Sequence, residues 1–280
     1  MSESDDNNHY DLRARRSKVG SRPHEAEQKA KVETRGEMGE FFKTAIIAVL
    51  LALVIRSFLY EPFNIPSGSM LPTLQIGDYL FVSKPSYGYS QYSFPFGLVH
   101  FEGREFAEEP KRGDIVVFKL PSNPSVDYIK RLIGLPGDRI QVVNGRLYIN
   151  GTIVPREPVG LKKVDNGYGI EDTVMEYIET LPGGVMHQIY EEGDAEGLDN
   201  TQEYVVPEGH YFFMGDNRDN SQDSRVQELV GYVPFENLVG RADILFFSID
   251  NTASLFKPWT WPGAIRYGRI FDRIGPVRPE

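Results

Sequence analysis

Three short segments carry side chains that could do chemistry together. The first, Ile65-Pro66-Ser67-Gly68-Ser69-Met70-Leu71-Pro72-Thr73, sets a hydroxyl on each side of a glycine and brackets them with prolines. Proline removes a backbone donor and pushes the preceding residue toward extended geometry, so this is not a helix interior. Gly68 allows a tight turn or a close backbone approach. The segment reads as a stiff loop presenting Ser67 and Ser69, or equally as a plain linker. The second, Val126-Asp127-Tyr128-Ile129-Lys130-Arg131-Leu132-Ile133, is β-branched and aromatic and is followed by Gly134, as a strand would be. Alternation puts Tyr128, Lys130 and Leu132 on one face. An ammonium held between an aromatic and a leucine is desolvated, which lowers its pKa. A neutral lysine is a general base able to take a serine proton. Without a serine nearby, the same lysine snorkels to water from a strand edge. The third segment, residues 215–225, follows the apolar run Tyr211-Phe212-Phe213-Met214 and is dense in Asp, Asn and Arg. It reads as a polar turn, or as an ion-paired loop that positions a hydroxyl.

Composition removes several other chemistries. The chain has 280 residues and no cysteine, so thiol nucleophiles, disulfides and thiolate metal sites are out. Its five histidines (His9, His24, His100, His187, His210) have no zinc-like spacing. No metal or other cofactor is expected. No Gly-x-Ser-x-Gly elbow is present. A net charge of −10 argues against nucleic acid as a partner.

The elements that must position these groups come in a definite order. Residues 1–40 are polar, of mixed charge and poor in aromatics, and are expected to form a disordered tail. Residues 44–55 are apolar and lie between Lys43 and Arg56. With the flanking aromatics and snorkelling basic residues, residues 41–60 are about long enough to cross a bilayer. The absence of an Ala-x-Ala site near residue 60 favours an uncleaved anchor over a removable leader. Residues 24–43 hold four Lys/Arg (Lys29, Lys31, Arg35, Lys43) and residues 56–75 only Arg56. The tail is therefore expected in the cytoplasm and the rest outside it.

Beyond the anchor the pattern is mainly β. Short strands are expected at 79–82, 114–120, 128–133, 139–143, 146–149, 202–206, 211–214 and 242–249, in barrel-like or sandwich sheets. Asn144-Gly145 is a two-residue hairpin signal. Residues 61–150 and 206–254 form the expected β core. Residues 151–205 carry 12 acidic residues against three basic (Arg156, Lys162, Lys163) and are expected as a smaller inserted domain with a solvated acidic face. Residues 255–280 hold five basic residues against two acidic, plus Trp259 and Trp261. If residues 262–275 are helical, Arg266, Arg269 and Arg273 line one side, and Tyr267, Ile270, Phe271 and Ile274 the other. Such a segment fits a membrane interface, or a helix docked on the sheet.

The three segments in this order resemble the bacterial type I signal peptidases, membrane-anchored serine endopeptidases that use a Ser/Lys dyad. The matching blocks are Tyr60-Glu61-Pro62-Phe63 running into residues 67–74, Arg112-Gly113-Asp114 with the strand after it, Tyr128-Ile129-Lys130-Arg131 with Gly134-Leu135-Pro136-Gly137-Asp138, and residues 215–225. The resemblance implies antiparallel sheets of the signal peptidase type behind one N-terminal transmembrane helix, where many relatives have two. It implies Ser69 as nucleophile, Lys130 as general base, and Ser67 with the Ser69 amide as oxyanion hole. Ser221 would orient the lysine, and Asp223 and Arg225 would hold that loop as an ion pair. Phe63, Ile65, Leu74, Tyr128 and Ile129 would wall apolar pockets. The partners implied are the bilayer and signal peptides of exported preproteins with small residues at −1 and −3. The location implied is the bacterial inner membrane, single-pass, with the catalytic part on the extracytoplasmic side. Two other readings remain: a self-cleaving Ser/Lys regulator, disfavoured by the acidic charge and the anchor, and a membrane-tethered β-domain that binds without catalysis.

Overall fold

The computed structural model describes residues 23–94, 99–165, 171–253 and 257–275. It divides into two compact units, Met1–Leu53 and Val54–Glu280. The described residues of the first belong to one helix, α1 (Pro23–Phe58). Within α1, the 21 residues Met38–Phe58 have a mean hydropathy of 2.1, long and apolar enough to cross a membrane. Leu50, Leu51 and Val54 on this stretch are exposed, as lipid-facing residues should be. The helix also includes residues 23–40, which the composition assigned to a disordered tail. Residues 1–22 of that tail lie outside the described residues.

The second unit is built of antiparallel strands. A seven-stranded sheet runs β1 (Tyr60–Asn64), β2 (Asp78–Ser83), β14 (Leu238–Ser248), β3 (Ile115–Leu120), β4 (Asn123–Gly134), β12 (His210–Met214) and β13 (Val233–Pro234). A four-stranded sheet runs β11 (Tyr204–Val205), β5 (Arg139–Val143), β6 (Arg146–Ile149) and β7 (Thr152–Ile153). A three-stranded sheet runs β10 (Val185–Glu191), β9 (Glu171–Leu181) and β8 (Arg156–Asp165). The β5–β6 turn has φ of 47° at Asn144 and 67° at Gly145, the left-handed pair that a two-residue hairpin needs and that Asn-Gly supplies.

Packing follows the alternation read from the sequence. On β4, Leu132 is buried with Phe118 and Phe213, and Tyr128 packs against the same cluster. Ile129, one residue out of phase, packs against a different cluster that holds Ile65, Val117 and Leu245. Ile133 joins a third, with Ile140, Leu147 and Phe212. The β4 strand is thus wedged among three apolar clusters, which fixes its register.

Two expectations need correction. Residues 151–205 do not separate as a domain: β7 and β11, at their ends, pair into the sheet of β5 and β6. Nor is their acidity all solvated. Glu176, Glu179, Glu191 and Asp199 are buried, and Glu176, Glu179 and Glu191 lie in ion pairs. The C-terminal segment is not one amphipathic helix. A four-residue helix, α2 (Trp261–Ala264), is followed by a single 3₁₀ turn (Tyr267–Arg269). Gly263, Gly268 and Pro262 break the period. Two of the supposed stripe arginines point into the body. Arg266 donates to Ile76 O and Ser248 Oγ, and Arg269 donates to Asp78 and to Thr73 O. Trp259, Trp261, Tyr267 and Phe271 remain exposed.

Asp78 is the anchor of this clasp. It is fully buried and accepts from Gln75 N at 2.8 Å, Ser248 Oγ at 2.6 Å and Arg269 Nη2 at 2.6 Å. Hydrogen bonds to a buried charged group are worth about 1.5–3 kcal/mol each. Asp78→Asn is expected to lower stability by about 2–3 kcal/mol, read as a fall in Tm in detergent. Glu102→Gln, at an exposed position, should change it by less than about 0.5 kcal/mol. Equal effects in the two variants would remove the clasp from the account.

Candidate active site

The loop after β1 is held from below and from one side. Met70 and Leu74 are completely buried and Ile65 nearly so, which nails the segment to the core on both sides of Ser69. Its backbone closes one turn, with Leu74 N donating to Met70 O at 2.9 Å. From the side, Asn217 N donates to Ser69 O at 3.2 Å, and Asn217 Nδ2 to Gly68 O at 3.1 Å. A Cβ at Gly215 would lie 2.5 Å from Ser69 O and 2.2 Å from Ser221 Oγ, so only glycine lets the two loops approach this closely.

Lys130 meets the hydroxyl of Ser69. Its Nζ donates to Ser69 Oγ at 2.7 Å and to Ile129 O at 3.0 Å, and sits 5.2 Å from the centre of the Tyr128 ring. The residue is only 4% exposed. Burial pushes its pKa down to about 8, against the attraction of Asp223 and Asp216. Neither acid touches the amine, because each is already taken. Asp223 receives Arg225 through both carboxylate oxygens at 2.9 Å. Asp216 receives Arg131 through both at 2.7 Å. Burial alone would raise the Asp223 carboxyl, but Arg225 and the Gly215 amide hold it below its ordinary value.

Arg131, next to Lys130 in sequence, has a positional role. It and Asp216 are each 1% exposed. The guanidinium also reaches Gly113 O at 2.8 Å and Thr73 Oγ1 at 3.3 Å, and Thr73 donates to Asp216 at 2.6 Å. One buried pair therefore links the serine loop, the lysine strand and the 215–225 loop. Its sequence signal was the adjacency of Arg131 to Lys130. Beyond it, His187 lies 3.9 Å from Asp216 and 3.4 Å from Glu179. Burial, with Arg131 and Arg218 nearby, keeps it neutral by driving its pKa well down.

The remaining candidates fall on both sides of expectation. Ser67 Oγ lies 3.5 Å from Ser69 Oγ. Phe63, Ile65, Tyr128 and Ile129 line a groove of about 680 Å³ that also reaches Ser69 and Lys130. Leu74 does not line it: it is in the core, 0% exposed, because the turn from Met70 points it inward. Ser221 is buried, but its hydroxyl makes no hydrogen bond to Lys130. A second depression of about 330 Å³ borders Ser67 and Ser69 and is walled by Val164, Asp172 and Val174. The segment 151–205 thus borders the serine, a contact that composition alone gave no reason to expect.

A serine hydroxyl bonded to a buried lysine, on antiparallel sheets that follow an apolar helix, fits a serine peptidase without a histidine. Comparison with known proteins agrees. Residues 38–247 match the model of the family described as "Signal peptidase, peptidase S26". A signal peptidase I of Rickettsia typhi (strain ATCC VR-144 / Wilmington) is 42% identical over 261 residues, covering 86% of this chain and 96% of that one. One of Rickettsia prowazekii (strain Madrid E) is 43% identical over 252 residues, covering 83% and 92%. A crystal structure of a signal peptidase I from Enterococcus faecalis V583 is 31% identical and covers 48% of this chain and 97% of that chain, at a TM-score of 0.29, too low to bear on the fold. The chain belongs to the signal peptidase family, peptidase S26, serine peptidases that cleave signal peptides.

The depressed lysine pKa makes a prediction about stability. Between about 8 and 10.5 the unfolded chain binds a proton at Lys130 that the folded chain does not. Stability from this group is therefore gained as pH rises through that window and is missing below it. Lys130→Met should be the more stable protein below pH 8, by on the order of 2–3 kcal/mol, with the advantage shrinking toward pH 10.5. Thermal unfolding of both proteins across that range checks it; a constant difference would mean that the folded lysine titrates at its ordinary pKa.

Proposed function

We propose that this chain removes N-terminal signal peptides from exported preproteins with Ser69 as nucleophile and Lys130 as general base. The observation that carries the reading is the 2.7 Å contact between Ser69 Oγ and an amine whose pKa is brought down to about 8. In the reactive form the amine is neutral and the hydroxyl donates to it. Ser69 Oγ attacks the scissile carbonyl carbon as its proton passes to Nζ. The carbonyl π electrons move to oxygen, and the Ser69 amide and the Ser67 hydroxyl stabilise that oxyanion. Collapse breaks the C–N bond, and the Lys130 ammonium protonates the leaving amine. Water then attacks the acyl ester, giving one proton to the lysine, and the second collapse returns that proton to Ser69 Oγ as the carboxylic acid leaves and ionises in solvent.

The groove supports the substrate class. Phe63 and Ile65 on one side and Tyr128 and Ile129 on the other would receive an extended peptide, with small side chains at −1 and −3 in shallow apolar pockets. The span Met38–Phe58 supports a membrane anchor. The excess of basic residues before it supports a cytoplasmic N-terminus, in the inner membrane of a bacterium, with the catalytic unit on the opposite side.

The test is cleavage of a peptide bearing Ala-x-Ala by the full chain in detergent. Ser69→Ala and Lys130→Ala should each abolish turnover in folded protein. Lys130→Arg should be as inactive, because a guanidinium stays protonated. In the wild type, kcat/KM should rise with pH through about 8, the value to which burial lowers the Lys130 pKa. Turnover of either alanine variant at the wild-type rate would end the dyad proposal. Ser67→Ala should lose about 10²–10³-fold in kcat with little change in KM; an effect confined to KM would place its hydroxyl away from the transition state. Protease added to spheroplasts should cut beyond residue 60 and spare the N-terminal tail, and cleavage of the tail would reverse the orientation.

A further inference from the structure

Three carboxylates meet where the end of β10 and the 193–199 turn run against the 215–225 loop. Strand β10 ends at Glu191, and its last residues run beside that loop: Tyr190 N donates to Asp216 O and Arg218 N to Tyr190 O, both at 2.9 Å. This brings Glu191 to Asp219, and the 193–199 turn brings Asp199 to both. One carboxylate oxygen of each lies within 4.8 Å of the others. Glu191 is 3% exposed.

The cations around the cluster are largely committed elsewhere. Arg131 is held by Asp216, Arg218 by both oxygens of Glu179, and Arg225 by both oxygens of Asp223. Arg156 reaches Glu191 Oε1 at 3.2 Å but also pairs with Asp194 at 2.7 Å. Asp219 Oδ2 accepts from Glu192 N at 2.6 Å, and Asp199 Oδ2 from Glu196 N at 2.6 Å. Two oxygens are left over. Glu191 Oε2 and Asp219 Oδ1 are both buried and have no hydrogen-bond partner. A buried anionic oxygen without a partner is costly, and two of them beside a third carboxylate ask for positive charge.

We propose that Glu191, Asp199 and Asp219 bind one hard divalent cation, calcium in preference to magnesium. All three ligands are carboxylate oxygens, with no imidazole among them and no thiolate in the chain, which selects against zinc and copper. Calcium accepts irregular oxygen cages, whereas magnesium demands a near-ideal octahedron. The ion would tie β10, the 193–199 turn and the 215–225 loop at one point. Asp219 is two residues from Asn217, whose amide groups hold the Ser69 and Gly68 carbonyls, so the ion would brace the wall of the active site from behind.

The experiment uses the full chain in detergent, stripped with a chelator. Equilibrium dialysis with radioactive calcium at pH 8.5 should find one ion per chain. At about a hundredfold excess over Kd, calcium should raise Tm at pH 8.5 by about 5–10 °C, and magnesium by less. Asp199→Asn and Asp219→Asn should each lower the calcium affinity at least tenfold. Absence of stoichiometric binding by the wild type at pH 8.5 overturns the proposal whatever the variants do. So does equal affinity in wild type and both variants.

Discussion

The site depends on a buried ion pair that takes no part in the chemistry. Arg131 and Asp216 meet through two bonds of 2.7 Å, and Thr73 and the Gly113 carbonyl complete their shell. Replacing such a pair with well-packed apolar residues is often neutral for stability, whereas removing one partner costs about 3–5 kcal/mol. Its value here is positional. Arg131 precedes Leu132 and follows Lys130 on one strand, Thr73 is four residues past Ser69, and Asp216 starts the loop that carries Asn217. Fixing these three side chains to one another fixes the hydroxyl, the amine and the loop to within the reach of single hydrogen bonds.

The same pairing explains how an acid-rich neighbourhood leaves a lysine poised for deprotonation. Two carboxylates near Lys130 would ordinarily stabilise its ammonium. Each is instead neutralised by its own arginine, Asp216 by Arg131 and Asp223 by Arg225. Desolvation is then the dominant influence on the amine and outweighs the residual attraction. The arginines thus act on the lysine by occupying its possible counterions.

Much of this was readable in the sequence, and the failures share a cause. The period-two pattern of β4 and the Asn144-Gly145 turn are local signals, and local geometry decides them. Ser69 and Lys130 were brought together by the resemblance of their segments to a known family, since residue types alone left a plain linker and a snorkelling lysine open. Leu74 was misplaced because a loop has no period from which to read which way a side chain points. The acidic segment looked solvated because its partners Arg218 and Arg156 are brought to Glu179 and Glu191 only by the fold. The C-terminal arginines resembled a membrane-facing stripe for the same reason: Asp78, their partner, lies roughly 190 residues earlier. Charge pairs distant in sequence are what a single chain conceals best.

That distance sets an order of assembly. The carboxylate of Asp78 and the carbonyl of Thr73, four residues from Ser69, receive Arg269, which leaves the ribosome close to 200 residues after the serine loop. Chains emerge at about 5–20 residues per second, so for roughly 10–40 seconds the loop exists without the residue that closes its base. Contacts this remote in sequence form late, after the loop-closure entropy has been overcome by nearer ones. A half-made chain therefore holds the serine on an unfinished foundation, with a buried acid still wanting its cation. The base of the serine loop is closed only once the residues through Arg269 have been made, a delay written into the connectivity itself.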